Sequence, residues 1–310
     1  MKVVKSLKAV AAGVIAAFGL GAGSANALYL YPGAIMEDDD IEQILDAAGN
    51  VKTSGALVVG DRLRAIIEIG KIVDSLGIRA DQNLGVGGEP ELTGLSEIEI
   101  AAIIPLGGGQ SQIIFAPSAS FAADLAGLEG GVAADYAGAM VALWTDGTPD
   151  LNVNDQVTSC PTFATCEGNA TNGNFWAVAG FGADPDRFWT ATLSNALLSN
   201  VALLAAAGPA TKLVSYNYAM EILVNNTGYD FGPIDISVIC DPVACPGDQA
   251  AQIVGSGDVL GGLGLSNGAI ARSDFDFTVN AIPEPGSLAL VGGAFIGAGL
   301  IARRRSSKKA

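Results

Sequence analysis

Leu63-Arg-Ala-Ile-Ile-Glu-Ile-Gly-Lys-Ile-Val73 is the stretch that decides the fold class: a β-branched apolar run broken by Arg64, Glu68 and Lys71, reading as a long strand. Gly60-Asp61 before it reads as a turn, with Ala56-Leu-Val-Val59 as a strand on the other side. Working outward, Glu97-Ile-Glu-Ile-Ala-Ala-Ile-Ile104 repeats the pattern up to Pro105 and a Gly-Gly-Gly turn. Gln112–Phe115, Ala139–Trp144, Phe175–Ala179, Ser215–Val224, Ile234–Ile239 and Phe275–Val279 are further strand candidates. Short strands between Gly/Asn/Asp/Pro turns predict a mainly β, sandwich-like single domain. Helix is expected over Ser118 to Leu128, stopped by Gly130-Gly131, and over Leu193 to Ala207, ended by Gly208-Pro209.

Both ends of the chain carry a different composition. Residues 1–27 read as a cleaved signal peptide, with Lys2, Lys5 and Lys8 as the basic region, Ala9 to Leu20 as the apolar region and Ala25-Asn26-Ala27 as the cleavage site. At the other end stand Pro283-Glu284-Pro285, an uncharged run from Leu288 to Ala302, and Arg303-Arg304-Arg305 followed by Lys308 and Lys309. As a helix that run spans about 22 Å against a hydrocarbon core of about 30 Å, so it makes a marginal anchor held by the basic cluster on the cytoplasmic side. The two ends agree on one topology, with residues 28–282 exported.

The order of triplet, apolar run and arginine cluster in residues 283–310 resembles the PEP-CTERM sorting signal of Gram-negative bacteria that make exopolysaccharide. The resemblance implies that an exosortase reads and removes the tail in the inner membrane. The body then passes to the cell surface or extracellular matrix, with exopolysaccharide and biofilm as its setting. It covers the tail alone and gives an address, not an activity.

With leader and tail set aside, 8 basic and 31 acidic residues remain, a formal charge of −23. Such a body repels nucleic acid and anionic lipid, and suits solubility or the binding of divalent cations. Two acidic stretches are candidate calcium sites. Asp150-Leu-Asn152-Val-Asn154-Asp155 begins like a calcium loop but has no glycine at its sixth place, and an Asx-rich turn accounts for it equally. Glu37-Asp38-Asp39-Asp40, with a further ligand from Asp46 or Asp61, is the second, against the plainer reading of a solvated loop before a strand. No other cofactor is expected.

Cys160, Cys166, Cys240 and Cys245 lie in two close pairs, each bracketing a proline-containing loop. An exported chain with an even cysteine count favours disulfides, here Cys160–Cys166 and Cys240–Cys245; a zinc site lacks both the C-x-x-C spacing and any histidine. The missing histidine also deprives Gly264-Leu-Ser266-Asn-Gly268 of the base that a G-x-S-x-G nucleophile needs. Trp144, Phe175, Trp176, Phe188 and Trp189 cluster in the middle third, as core or as a sugar-stacking platform. The expectation is a non-enzymatic surface or matrix protein. Its rivals are a carbohydrate-binding module and a glycan-acting enzyme built on carboxylates.

Overall fold

A computed structural model describes residues 28–86, 89–239 and 247–283. The strands are β1 (Pro32–Leu45), β2 (Arg62–Asp74), β3 (Gln82–Asn83), β4 (Glu91–Gly107), β5 (Gln110–Pro117), β6 (Ala139–Asp146) and β7 (Asn174–Gly180), then β8 (Phe188–Ser194), β9 (Lys212–Asn225), β10 (Tyr229–Phe231), β11 (Ile234–Asp235), β12 (Ala250–Ala251), β13 (Ile253–Gly261) and β14 (Ala271–Pro283). Helices α1 (Ala119–Glu129), α2 (Phe163–Ala170), α3 (Asn195–Ser199) and α4 (Ala202–Ala206) lie in the connections.

The protein is mainly β, as expected, but hydrogen bonding runs continuously round it where a sandwich would have two separate sheets. The antiparallel path β2–β1–β14–β13–β9 is joined back to β2 through β4. β4 carries β2 on one edge; its other edge pairs with β6 along residues 91–96 and with β5 along residues 98–107. β9 mirrors this, with β13 on one edge and β8 then β7 on the other. Because β5 pairs with β8 and β6 with β7, the sheet closes as a barrel in which two neighbouring positions are each filled by two shorter strands end to end. Closure leaves few bare edges.

Alternation along the strands divides the apolar residues between two cores. Inward side chains such as Met36, Ile67, Leu92, Phe115, Trp189, Tyr218 and Phe277 fill the barrel. The outward residues Ile41, Ile66, Leu95 and Trp144 are covered by Phe121 and Leu125 of α1 and Phe163 of α2. Trp144, Trp176 and Trp189 are all buried, so they serve as core and not as a sugar platform. Between α1, α2 and the barrel wall, Glu97 is fully buried; Arg62 and Arg64 pair with it at 2.9 and 3.1 Å, and Ser118 donates to it at 2.7 Å. Arg64 also reaches Asp124 and Glu167 at 2.8 and 2.5 Å, tying both helices to the sheet.

Several expected elements differ. Ala56–Val59 is irregular, with Leu57 alone of the four buried, among the residues lining one interior cavity. β4 continues through Pro105, where its outer edge no longer pairs with β2 and a missing N–H costs little. Leu193–Ala207 is not one helix; it begins as the end of β8 and splits at Asn200 into α3 and α4. Of Ile234–Ile239 only two residues are strand. Glu37–Asp40 is no loop, but lies inside β1.

The first and last strands are neighbours, Pro32 facing Asn280. The residues that follow the expected leader and those that precede the expected tail therefore leave the barrel side by side, at a rim where Tyr29, Leu76, Ile78 and Ile282 are exposed. Among the described residues no helix is long and apolar enough to cross a membrane.

Candidate functional site

The β1–β14 ladder is interrupted. Met36 faces Phe277 and Asp40 faces Ser273, but Glu37, Asp38 and Asp39 make no register pair with Asp274, Phe275 and Asp276. On its other side β1 has a bulge between Glu37 and Asp38. A side chain takes the place of the missing backbone partner: the Phe275 N–H donates to the Asp38 carboxylate. The parted strands leave an acidic cleft of about 340 Å³ in the barrel wall, lined by Glu37, Asp38, Asp39, Asp40, Asn154, Arg272, Asp274 and Asp276.

Two stretches far apart in sequence meet here, since Asn154 Nδ2 donates to Asp39 Oδ2 at 3.4 Å. What brings Asn154 over is a pair of glutamates, Glu91 buried and Glu68 half-buried, each accepting backbone N–H from the 150–155 loop. Glu68 takes that of Val153 at 2.8 Å, and Glu91 takes those of Asp150 and Leu151 at 3.0 and 3.2 Å. Burial raises Glu68 to about 6 and Glu91 to about 7. The rest of the loop is self-satisfied: Asn152 Oδ1 accepts from the N–H of Asn154 and Asp155, and Asp150 accepts from Asn172 Nδ2. Asn152 therefore forms an Asx turn, Asp150 is held by Asn172, and neither lines the cleft. Asp46 caps its own turn at Ala48 and Asn50, and Asp61 pairs with Lys52, so neither supplies Asp38–Asp40.

Acids outnumber cations in the cleft, where Arg272 is the one basic residue of the lining and makes no ion pair with Asp38, Asp39, Asp40, Asp274 or Asp276 among the described residues. Burial, with the charges of Asp276 and Asp274 beside it, pushes Asp38 well above the usual carboxylate range, and burial with the charge of Asp38 does the same to Asp40. Asp276 is raised to about 6, first by burial and then by Asp274. Arg272 directs Nη1 to the carbonyls of Gly261 and Leu263. Asp38, Asp274 and Asp276 offer oxygens within 4.8 Å of one another, as three ligands on one ion do. Asp274 and Asp276 escaped the sequence reading; the Asp-x-Asp alternation opposite Glu37–Asp40 was the available signal, but only the register of β14 against β1 gives it meaning.

Behind the cleft the barrel is packed. Tyr218 and Phe275 stack with centroids 4.6 Å apart, Trp189 lies against both, and interior cavities of about 50 and 10 Å³ remain. Cys160 and Cys166 stand at disulfide distance, Cα atoms 4.7 Å apart, as expected from their spacing. Ser266 lies in the loop between β13 and β14, its hydroxyl on Gln156 Oε1 at 2.9 Å. Cys240, Cys245, Ala25, Ala27, Glu284, Pro285 and Arg303–Arg305 lie outside the described residues, and of Pro283 only the backbone, ending β14, is described.

Fold and site together define an antiparallel β-barrel with an acidic opening in its wall. Compared with family models, curated proteins and solved structures, the chain matches none.

Proposed function

We propose that this chain is a non-enzymatic exported protein of the cell surface or extracellular matrix, sorted by an exosortase through its tail and associated with exopolysaccharide. The observation that carries the reading is the common exit of the two ends: β1 and β14 lie side by side, so the predicted leader and the predicted anchor attach at one rim. A body held there stands on the membrane by one end, with its exposed Tyr29, Leu76 and Ile78 nearest the lipid. The acidic body, the cysteine pair at disulfide distance and the side-chain-filled barrel suit a durable extracellular part. In the native host, replacing Pro283-Glu284-Pro285 with alanines is expected to leave full-length protein in the inner-membrane fraction, while wild-type protein loses its arginine cluster. Normal processing of the alanine variant, or surface protein that keeps Arg303–Arg305, overturns the assignment.

The acidic cleft supports a second reading, a glycan-acting enzyme built on carboxylates, because Asp276, raised to about 6, lies beside other acids in an open groove. Incubation with purified matrix polysaccharide separates the two: release of reducing ends belongs to the enzyme, and its absence to the structural protein.

A further inference from the structure

We propose that the gap between β1 and β14 binds one hard divalent cation of the calcium class, with Asp38, Asp274 and Asp276 as its carboxylate ligands, Asp40 behind them and Asn154 at the mouth. The inference stands apart from the sorting assignment, since it rests only on the barrel wall.

The cluster by itself would be unremarked in so acidic a protein; what singles it out is unused bonding capacity. Asp40 is 3 % exposed and lines both the cleft and the barrel interior; Ser273 Oγ donates to its Oδ2 at 3.4 Å, while its Oδ1 has no donor among the described residues. Asp38 Oδ2 and Asp276 Oδ1 are buried and unpartnered as well. Buried carboxylate oxygens are ordinarily hydrogen-bonded or coordinate a metal. Of the six acids around the opening only Glu37 has an ion-pair partner among the described residues, Lys71 at 3.8 Å. A second trio, Asp184, Asp186 and Asp248, has the same ligand spacing but is already served. There Asp186 accepts from the N–H groups of Gly247 and Gln249, and Asp184 pairs with Arg187 at 2.8 Å.

The donor set selects the ion. Every ligand is oxygen and the chain has no histidine, which favours calcium, magnesium or manganese over zinc or copper. The carboxylates come from two parted strands at uneven heights, and the mouth is open to water. Calcium accepts six to eight oxygens in irregular geometry, whereas magnesium demands a tight octahedron. Coordination would draw β1 and β14 together where their backbones do not pair.

The test is calorimetry and thermal melting of the full chain with calcium chloride, with magnesium chloride, and with sodium chloride at matched ionic strength. Calcium is expected to bind one equivalent saturably and to raise Tm by about 5–10 °C at a hundredfold excess over Kd, magnesium by less. Asp274→Asn at the exposed lip and Asp276→Asn should each lose that response while melting at or above the wild-type temperature without calcium, because they relieve repulsion. An unsaturable rise that is equal for both divalent ions, or a response that survives in both variants, reduces the effect to screening and overturns the site. So does the absence of any rise.

Discussion

Gly255 and Gly257 of β13 make room for two tyrosines to reach across the strand. Tyr216 and Tyr218 donate to the carbonyls of Asp274 and Asp276 at 2.7 and 2.8 Å. A Cβ on Gly257 would lie 1.8 Å from the Asp274 oxygen, and one on Gly255 2.0 Å from the Tyr218 hydroxyl. Gly257→Ala is therefore expected to cost about 1–3 kcal/mol in urea unfolding. Tyr216→Phe should cost about 1 kcal/mol alone and less when added to Gly257→Ala, since both disturb one contact. The same glycines kept Ile253–Gly261 from standing out among the strand candidates, because a sequence does not say that a neighbour's side chain fills the vacant place. The aspartates of β1 misled in the same way, since Asp-rich runs favour turns and only the interrupted ladder gives them a place in a wall.

Among the elements, α1 and α2 are both tied to the sheet by the charges beneath them. Ser118 begins α1 without a side-chain cap and spends its hydroxyl on Glu97 instead. Although burial alone would raise it, Glu97 is held below its ordinary pKa by hydrogen bonds from Ser120 and Ser118 and by the charges of Arg64 and Arg62. Glu97→Ala leaves Arg62 without its ion-pair partner against a covered wall, while Arg64 keeps Asp124 and Glu167, and is expected to cost about 3 kcal/mol by chemical denaturation. Arg64→Ala should cost less, because Arg62 still neutralises Glu97; equal losses would contradict the arrangement. The alternation of β2 was legible because local periodicity carries it, and the end of α1 because Gly130-Gly131 stops the run. α2 was not, as Phe163–Ala170 contains Gly168 and Asn169 and owes its place to packing of Phe163, Cys166 and Ala170 in the outer core.

For the whole molecule, β content was readable and closure was not. A list of short strands fits sandwich and barrel alike, and what separates them is pairing between β1 and β14 and between β2 and β4, which no local pattern records. The buried acids give the barrel an unusual pH response. Glu91 and Glu68 have folded pKa values above their unfolded ones, so between about pH 4.5 and 7 the native state holds more protons and stability falls as pH rises. Unfolding at pH 5 and pH 8 should favour pH 5, and Glu91→Gln should shrink the difference by about 2 kcal/mol. A barrel more stable at pH 8, or an unchanged difference in the variant, would contradict this. Closure also sets a timetable. The strand that seals β1 is the last of the fourteen in chain order, so β1 waits until the whole barrel-forming chain has emerged. Throughout that interval one edge of β1 is bare, a template for a strand of any other chain. Glu37, Asp38 and Asp39 stand on that waiting edge, where their charge repels another copy's β1 until the molecule's own final strand arrives.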